Sequence, residues 1–195
     1  FPGPMPPEDA PGRDQPAAIL MHQAVKRLAD LAASYMTAGF VHGVLNSDNM
    51  NVTGESFDYG PWRWAPTWDA GFTAAYFDHA GLYAFGRQPE ALHWNCGQLA
   101  VALRLLSGAG PLIAALGRLP ELYRYNLARR FLWRLGVAPR GLESDLNLVV
   151  AAENALRESG AGVDEFFFRH RGGRDAEGEV AEALAGYEGE AEDEY

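Results

Sequence analysis

At 195 residues and 48% hydrophobic content, the chain can build one sizeable core with at most a small appendage. Its net charge of −10 is uneven: eight of the 26 acidic residues and no Lys or Arg fall in 176–195, leaving 18 acidic against 16 basic residues elsewhere, which excludes a generally basic nucleic-acid surface. No run of 18 apolar residues exists to span a membrane, "FPGPMPPEDAPGRDQP" lacks the charged and apolar regions of a signal peptide, and the single cysteine, Cys96, excludes an internal disulfide and fits a reducing cytoplasm.

Residues 1–14, rich in Pro and Gly, read as a linker or arm. From Gln15 to Thr37 the apolar stripe Leu20, Ala24, Leu28, Leu31 and Tyr35 predicts a helix that Gly39 stops. "HGVLNSDNMNVTGESFDYG" (42–60) follows, dense in oxygen-bearing and turn residues. Within it "NMNV" and "ESFD" flank Thr53-Gly54 and predict a small hairpin. Residues 61–88 are aperiodic and aromatic, with Trp62, Trp64, Trp68, Phe72, Tyr76, Phe77, Tyr83 and Phe85, the mark of an ordered functional segment. Pro89 opens a helix through Leu92, Leu99, Leu103 and Leu106, and further helices are expected near 111–117, 120–135 and 145–158. "FFFRHRGGRD" (166–175) leads to an acidic tail at 176–195. The expected architecture is mainly α with two short strands.

Kinase-like phosphotransferases space a catalytic loop as H-x-D-x-x-x-x-N and follow it with D-F-G. His42 and Asn49 match the His and Asn of that loop, 42–50, and Asp58-Tyr59-Gly60 is a D-F-G with one aromatic exchanged for another. Val44 stands where the usual catalytic Asp belongs and accepts no proton, so Asp48 is the nearest carboxylate for that role. Clusters of Asn, Asp and Gly also make plain Asx turns. On the phosphotransferase reading, 15–175 is a C-lobe of a protein-kinase-like (α+β) fold with a β-hairpin at the catalytic loop.

The blocks "GFVHGVLNSDNM", "DYGP", "DAGF", "GLYAFGRQP" and "WNCGQLAVAL", from about Ala38 to Leu103, resemble selenoprotein O and its bacterial relatives, the protein adenylyltransferase pseudokinases. The resemblance implies transfer of AMP from ATP to Ser, Thr or Tyr hydroxyls of proteins. It implies Asp48 as proton acceptor, Asn49 and Asp58 as ligands of Mg²⁺ (or Mn²⁺), and Asp58 as a nucleotide contact. Trp62-Arg63-Trp64 departs from the family's aromatic-Gly-aromatic, and Leu82 replaces a common Arg. The redox-active residue found near many members' C-termini is absent. The only lysine, Lys26, lies upstream of the catalytic loop, and no glycine-rich phosphate loop precedes it, so the chain reads as a fragment lacking a nucleotide-binding N-lobe. The alternative is a non-catalytic helical interaction module derived from a pseudokinase.

None of His22, His42, His79, His93 and His170 forms a zinc-type spacing. His42 reads as a structural hydrogen-bonding residue of the loop and Cys96 as a small buried hydrophobe. The Trp62/Trp64/Trp68 group reads as core packing or a ligand platform, and "RHRGGRD" as solvated surface.

Overall fold

The computed structural model describes residues 5–187. Among the described residues the chain is mostly helical, with one small two-stranded sheet. Helix α1 (Pro16–Ala38) starts with Pro at its first turn, where the missing N–H costs nothing. It stops at Gly39, whose left-handed backbone (φ 67°) lets its N–H reach Met36 O and Tyr35 O. A Cβ on Gly39 would sit 2.8 Å from Val163 Cγ2, so the turn also needs the absent side chain.

Helices α2 (Gln88–Leu103), α3 (Ala109–Leu116) and α4 (Leu119–Leu135) pack around α1, which explains why α1 buries residues on most of its faces. One apolar cluster joins α1, α2 and α3 through Met21, Leu28, Leu92, Cys96 and Leu112. A second joins α4 to α5 (Leu142–Ser159), α6 (Val163–His170) and α7 (Gly178–Leu184) through Phe131, Leu148, Phe167 and Leu184. The Arg130 guanidinium donates to both oxygens of Asp30, at 2.9 and 2.8 Å, and fastens α4 to α1.

Strands β1 (Phe40–Val41) and β2 (Arg63–Trp64) pair antiparallel, Phe40 with Trp64 and Val41 with Arg63. The expected hairpin at 49–58 is reduced to the single bridge Met50–Ser56, and the two strands flank it instead. Gly54 N donates to Asn51 O within the turn, and Asn51 N to Glu55 O and Phe57 N to Asn49 O flank the bridge on either side.

Two elements go beyond the sequence reading. Residues expected only to connect to the acidic tail form α6, with Val163, Phe166 and Phe167 on its buried side. The acidic stretch itself carries α7, docked by Val180 and Leu184. The last eight residues of that stretch lie outside the described residues. Among the described residues no helix is long and apolar enough to cross a membrane.

Candidate functional site

The loop leaving β1 is held by polar side chains from buried positions. Gln88, fully buried at the start of α2, accepts from His42 N at 3.0 Å and donates to Phe40 O at 2.8 Å. Asn95, two helical turns further along the same face of α2, donates to Leu45 O at 2.8 Å and accepts from Ser47 Oγ at 2.6 Å. A polar residue on a buried face must be satisfied there, and these two amides are satisfied by fixing the loop.

His42 is also fully buried. Val44 N donates to its Nδ1 at 3.3 Å, and its Nε2 lies 3.4 Å from Phe57 O. Both contacts suit the neutral tautomer with the proton on Nε2. Burial pushes the His42 pKa below its usual value, against the opposing pull of Phe57 O and the Asp58 charge. Its ring tilts against Tyr59 with centroids 5.3 Å apart. His42 thus ties the loop to the Asp58 segment, the structural role expected of it.

Ser47–Asn49 form one 3₁₀ turn, in which Asn49 N donates to Asn46 O at 3.0 Å. The Asn49 side chain is buried, and its Nδ2 donates to Val44 O at 2.9 Å. Its Oδ1 has no hydrogen bond among the described residues. Phe57 N donates to Asn49 O at 3.1 Å, which brings the segment carrying Asp58 alongside Asn49. Asp58 is exposed, with a left-handed backbone (φ 52°) and no hydrogen bond or ion pair to its carboxylate among the described residues. A positive φ in a residue other than glycine is uncommon and turns the side chain out of the strand direction.

Asp48 is exposed on the same turn. Its charge acts on Tyr83, whose hydroxyl donates to Asn46 Oδ1. Burial, with the charges of Asp78 and Asp48 behind it, pushes the Tyr83 pKa up. Asp78 also accepts from Leu82 N and Tyr83 N, both at 2.8 Å, and shapes the turn that delivers Tyr83 to the loop.

Val44, Asn49 and Asp58 therefore belong to one hydrogen-bonded unit, with Asp48 on its exposed side. Among the described residues no three His, Cys, Asp or Glu side chains gather as a metal cluster. Asn49 Oδ1 and the Asp58 carboxylate are nevertheless hard oxygen donors with open valences, the kind Mg²⁺ accepts while keeping waters and phosphate oxygens. The sequence reading missed Gln88, Asn95 and Tyr83. The signal available was an amide at two positions of the α2 face that buries Leu92 and Cys96.

The remaining candidates divide between core and surface. Cys96 is fully buried, and burial pushes its thiol up to about 12. Trp68 packs edge-on against Phe85 and Phe131, whereas Trp62 and Trp64 are half exposed around Phe40. Arg171 of "RHRGGRD" donates to Trp133 O and Arg134 O at the end of α4.

A family model described as protein adenylyltransferase SelO matches residues 8–186. The protein nucleotidyltransferase YdiU of a Synechococcus species is 40% identical over 151 residues, 76% of this chain and 31% of that protein. The namesake from Gloeobacter violaceus is 41% identical over 150 residues, covering 77% and 31%. That from Pseudomonas aeruginosa is 35% identical over 165 residues, covering 84% and 33%. The chain spans about a third of the length of the curated relatives it matches. With a family match over nearly all of its described residues, the chain belongs to the protein adenylyltransferase SelO family.

Proposed function

We propose that this chain carries the catalytic-loop part of a protein adenylyltransferase with a kinase-like fold. The whole protein would transfer AMP from ATP to Ser, Thr or Tyr hydroxyls of other proteins. The observation that carries the reading is the Phe57–Asn49 backbone bond, which joins the two segments bearing Asn49 Oδ1 and the Asp58 carboxylate. Asn49 and Asp58 would hold Mg²⁺, or Mn²⁺ in its place. When bound, that ion neutralises phosphate charge.

In the proposed reaction the acceptor hydroxyl oxygen forms a bond to the α-phosphorus. The bond from that phosphorus to pyrophosphate breaks, and the hydroxyl proton passes to the Asp48 carboxylate. Val44 leaves the usual base position without a proton acceptor, and Asp48 stands exposed to an incoming protein on the same turn as Asn49. The lysine and glutamate that clamp phosphates in kinase-like sites are assigned by this reading to the length of the relatives outside the match.

Asp48→Asn keeps the shape and removes the proton acceptor. In the whole-length protein it is expected to slow AMP transfer by about 10²–10⁴-fold and to leave MgATP affinity within a few-fold. Transfer rate and affinity are measured on the same variant. Affinity that collapses with the rate makes Asp48 a ligand instead, and an unchanged rate removes it from the chemistry.

The second reading, a non-catalytic interaction module, is favoured by the half-exposed Tyr59, Trp62 and Trp64 beside the loop. It predicts binding of a partner protein with no AMP transfer by the whole-length protein, however it is assayed.

A further inference from the structure

Beneath the N-terminal arm lies a cavity of about 370 Å³ that shares no residue with the catalytic-loop site. Helix α1 lends it Ala18 and His22, four residues apart on one face. Helix α3 and the start of α4 lend it Ala114, Ala115 and Arg118. Alanine side chains end at Cβ, so the helices leave space between them where longer side chains would close it. Pro6 to Pro11 roof that space. The roof is anchored: Gly12 lies so close to Pro111 that a Cβ there would stand 2.7 Å from its Cγ, and Ser107 Oγ donates to Gln15 Oε1 at 2.7 Å.

Three polar side chains line the cavity without a hydrogen bond or ion pair among the described residues: Asp9, His22 and Arg118. His22 is only 7% exposed. Neither ring nitrogen has a hydrogen-bond partner among the described residues, so the ring's N–H is open to a molecule in the cavity. Burial, with the positive charges of Arg118 and Lys26 behind it, pushes the His22 pKa down, so the ring is neutral at pH 7 and offers one N–H donor. The groups facing it are Asp9 from the arm, Arg118 from the start of α4 and Lys26 from its own helix. Two of the three are cations, and the carboxylate stands exposed at the rim.

We propose that this cavity binds a small ligand through a carboxylate or phosphate group held between His22 and Arg118. The guanidinium supplies a planar pair of donors for such an oxyanion, and the imidazole N–H supplies a third. Asp9 at the rim disfavours a second anionic group and selects ligands that are neutral or cationic away from the oxyanion.

The test uses the chain with inorganic phosphate and with acetate, following the histidine ring signals by NMR. A saturable shift of the His22 signals with one anion identifies the group the cavity takes. At saturation the His22 pKa is expected to rise by about one unit, a tenfold change in its protonation equilibrium, while His79 and His170 stay unmoved. Arg118→Gln should abolish the saturable shift and Arg118→Lys should weaken it. Ala114→Leu, which fills the space and leaves every charge in place, should abolish it too. No saturable shift with either anion overturns the proposal. So does a His22 pKa that is the same with and without saturating anion, or binding that survives both Arg118→Gln and Ala114→Leu.

Discussion

The Asn49 amide is fixed by one end and open at the other. Nδ2 donates to Val44 O at 2.9 Å, and the planar amide then holds Oδ1 away from that carbonyl. An aspartate has no donor for this bond and would set a carboxylate oxygen against a carbonyl. Asn49→Asp is therefore expected to cost about 1–3 kcal/mol of stability, more than Asn49→Ala, which leaves the carbonyl unpaired but not repelled. Urea unfolding of the two variants checks the order. Equal losses, or a more stable Asn49→Asp, would mean that the Nδ2 bond does not hold the loop. As candidates, Asn49 and Asp58 were legible from spacing and Asp48 from its nearness to the base position that Val44 leaves empty, because the catalytic-loop pattern concerns residues near one another in sequence. Gln88 and Asn95 were not, because each serves a backbone group more than forty residues away.

Between the Asn49 and Asp58 segments runs one tight turn pressed against α1. Gly54 has φ 87°, and a Cβ there would sit 2.6 Å from Arg27 Cβ. Gly54→Ala thus combines backbone strain with a clash against a helix that has no room to move, and a loss of about 1–3 kcal/mol is expected. Because the turn sets the Asn49–Phe57 pairing, AMP transfer by the whole-length protein should fall as well. A variant with unchanged urea midpoint and rate would separate the turn from the site. At this scale the helices with a regular apolar stripe and a Pro or Gly boundary were readable, α1 and α4 above all. Helix α7 was not. Its charge dominates its composition, and only Val180 and Leu184, four apart, mark the buried side. The strands were misplaced because two-residue strands carry no alternation to read, and their pairing joins Phe40 to Trp64 across the whole loop.

For the whole molecule, buried titratable groups set the pH range of stability. Burial holds the Tyr35 hydroxyl and the Cys96 thiol up to about 12, above ordinary values of 10.0 and 9.0. The folded chain keeps these protons where the unfolded chain releases them. Their contribution is therefore complete below pH 9 and is lost progressively as pH rises from 9 to 12. His22 and His42 are displaced the other way, below 6.5, so their contribution is complete above pH 6.5 and fades as pH falls below it. Urea midpoints should form a plateau between those limits and decline on both sides. A midpoint still rising from pH 9 to 11 would contradict the burial of Tyr35 and Cys96.

The activity assigned to the whole-length protein turns on which part of ATP reaches the acceptor. Incubation of that protein with a protein acceptor, Mg²⁺ and ATP labelled at either the α- or the γ-phosphate decides it. The proposed reaction puts the α-label on the acceptor and none of the γ-label, and Asp58→Ala abolishes the labelling together with metal-dependent nucleotide binding. Transfer of the γ-label, or α-labelling at the normal rate by Asp58→Ala, would contradict it.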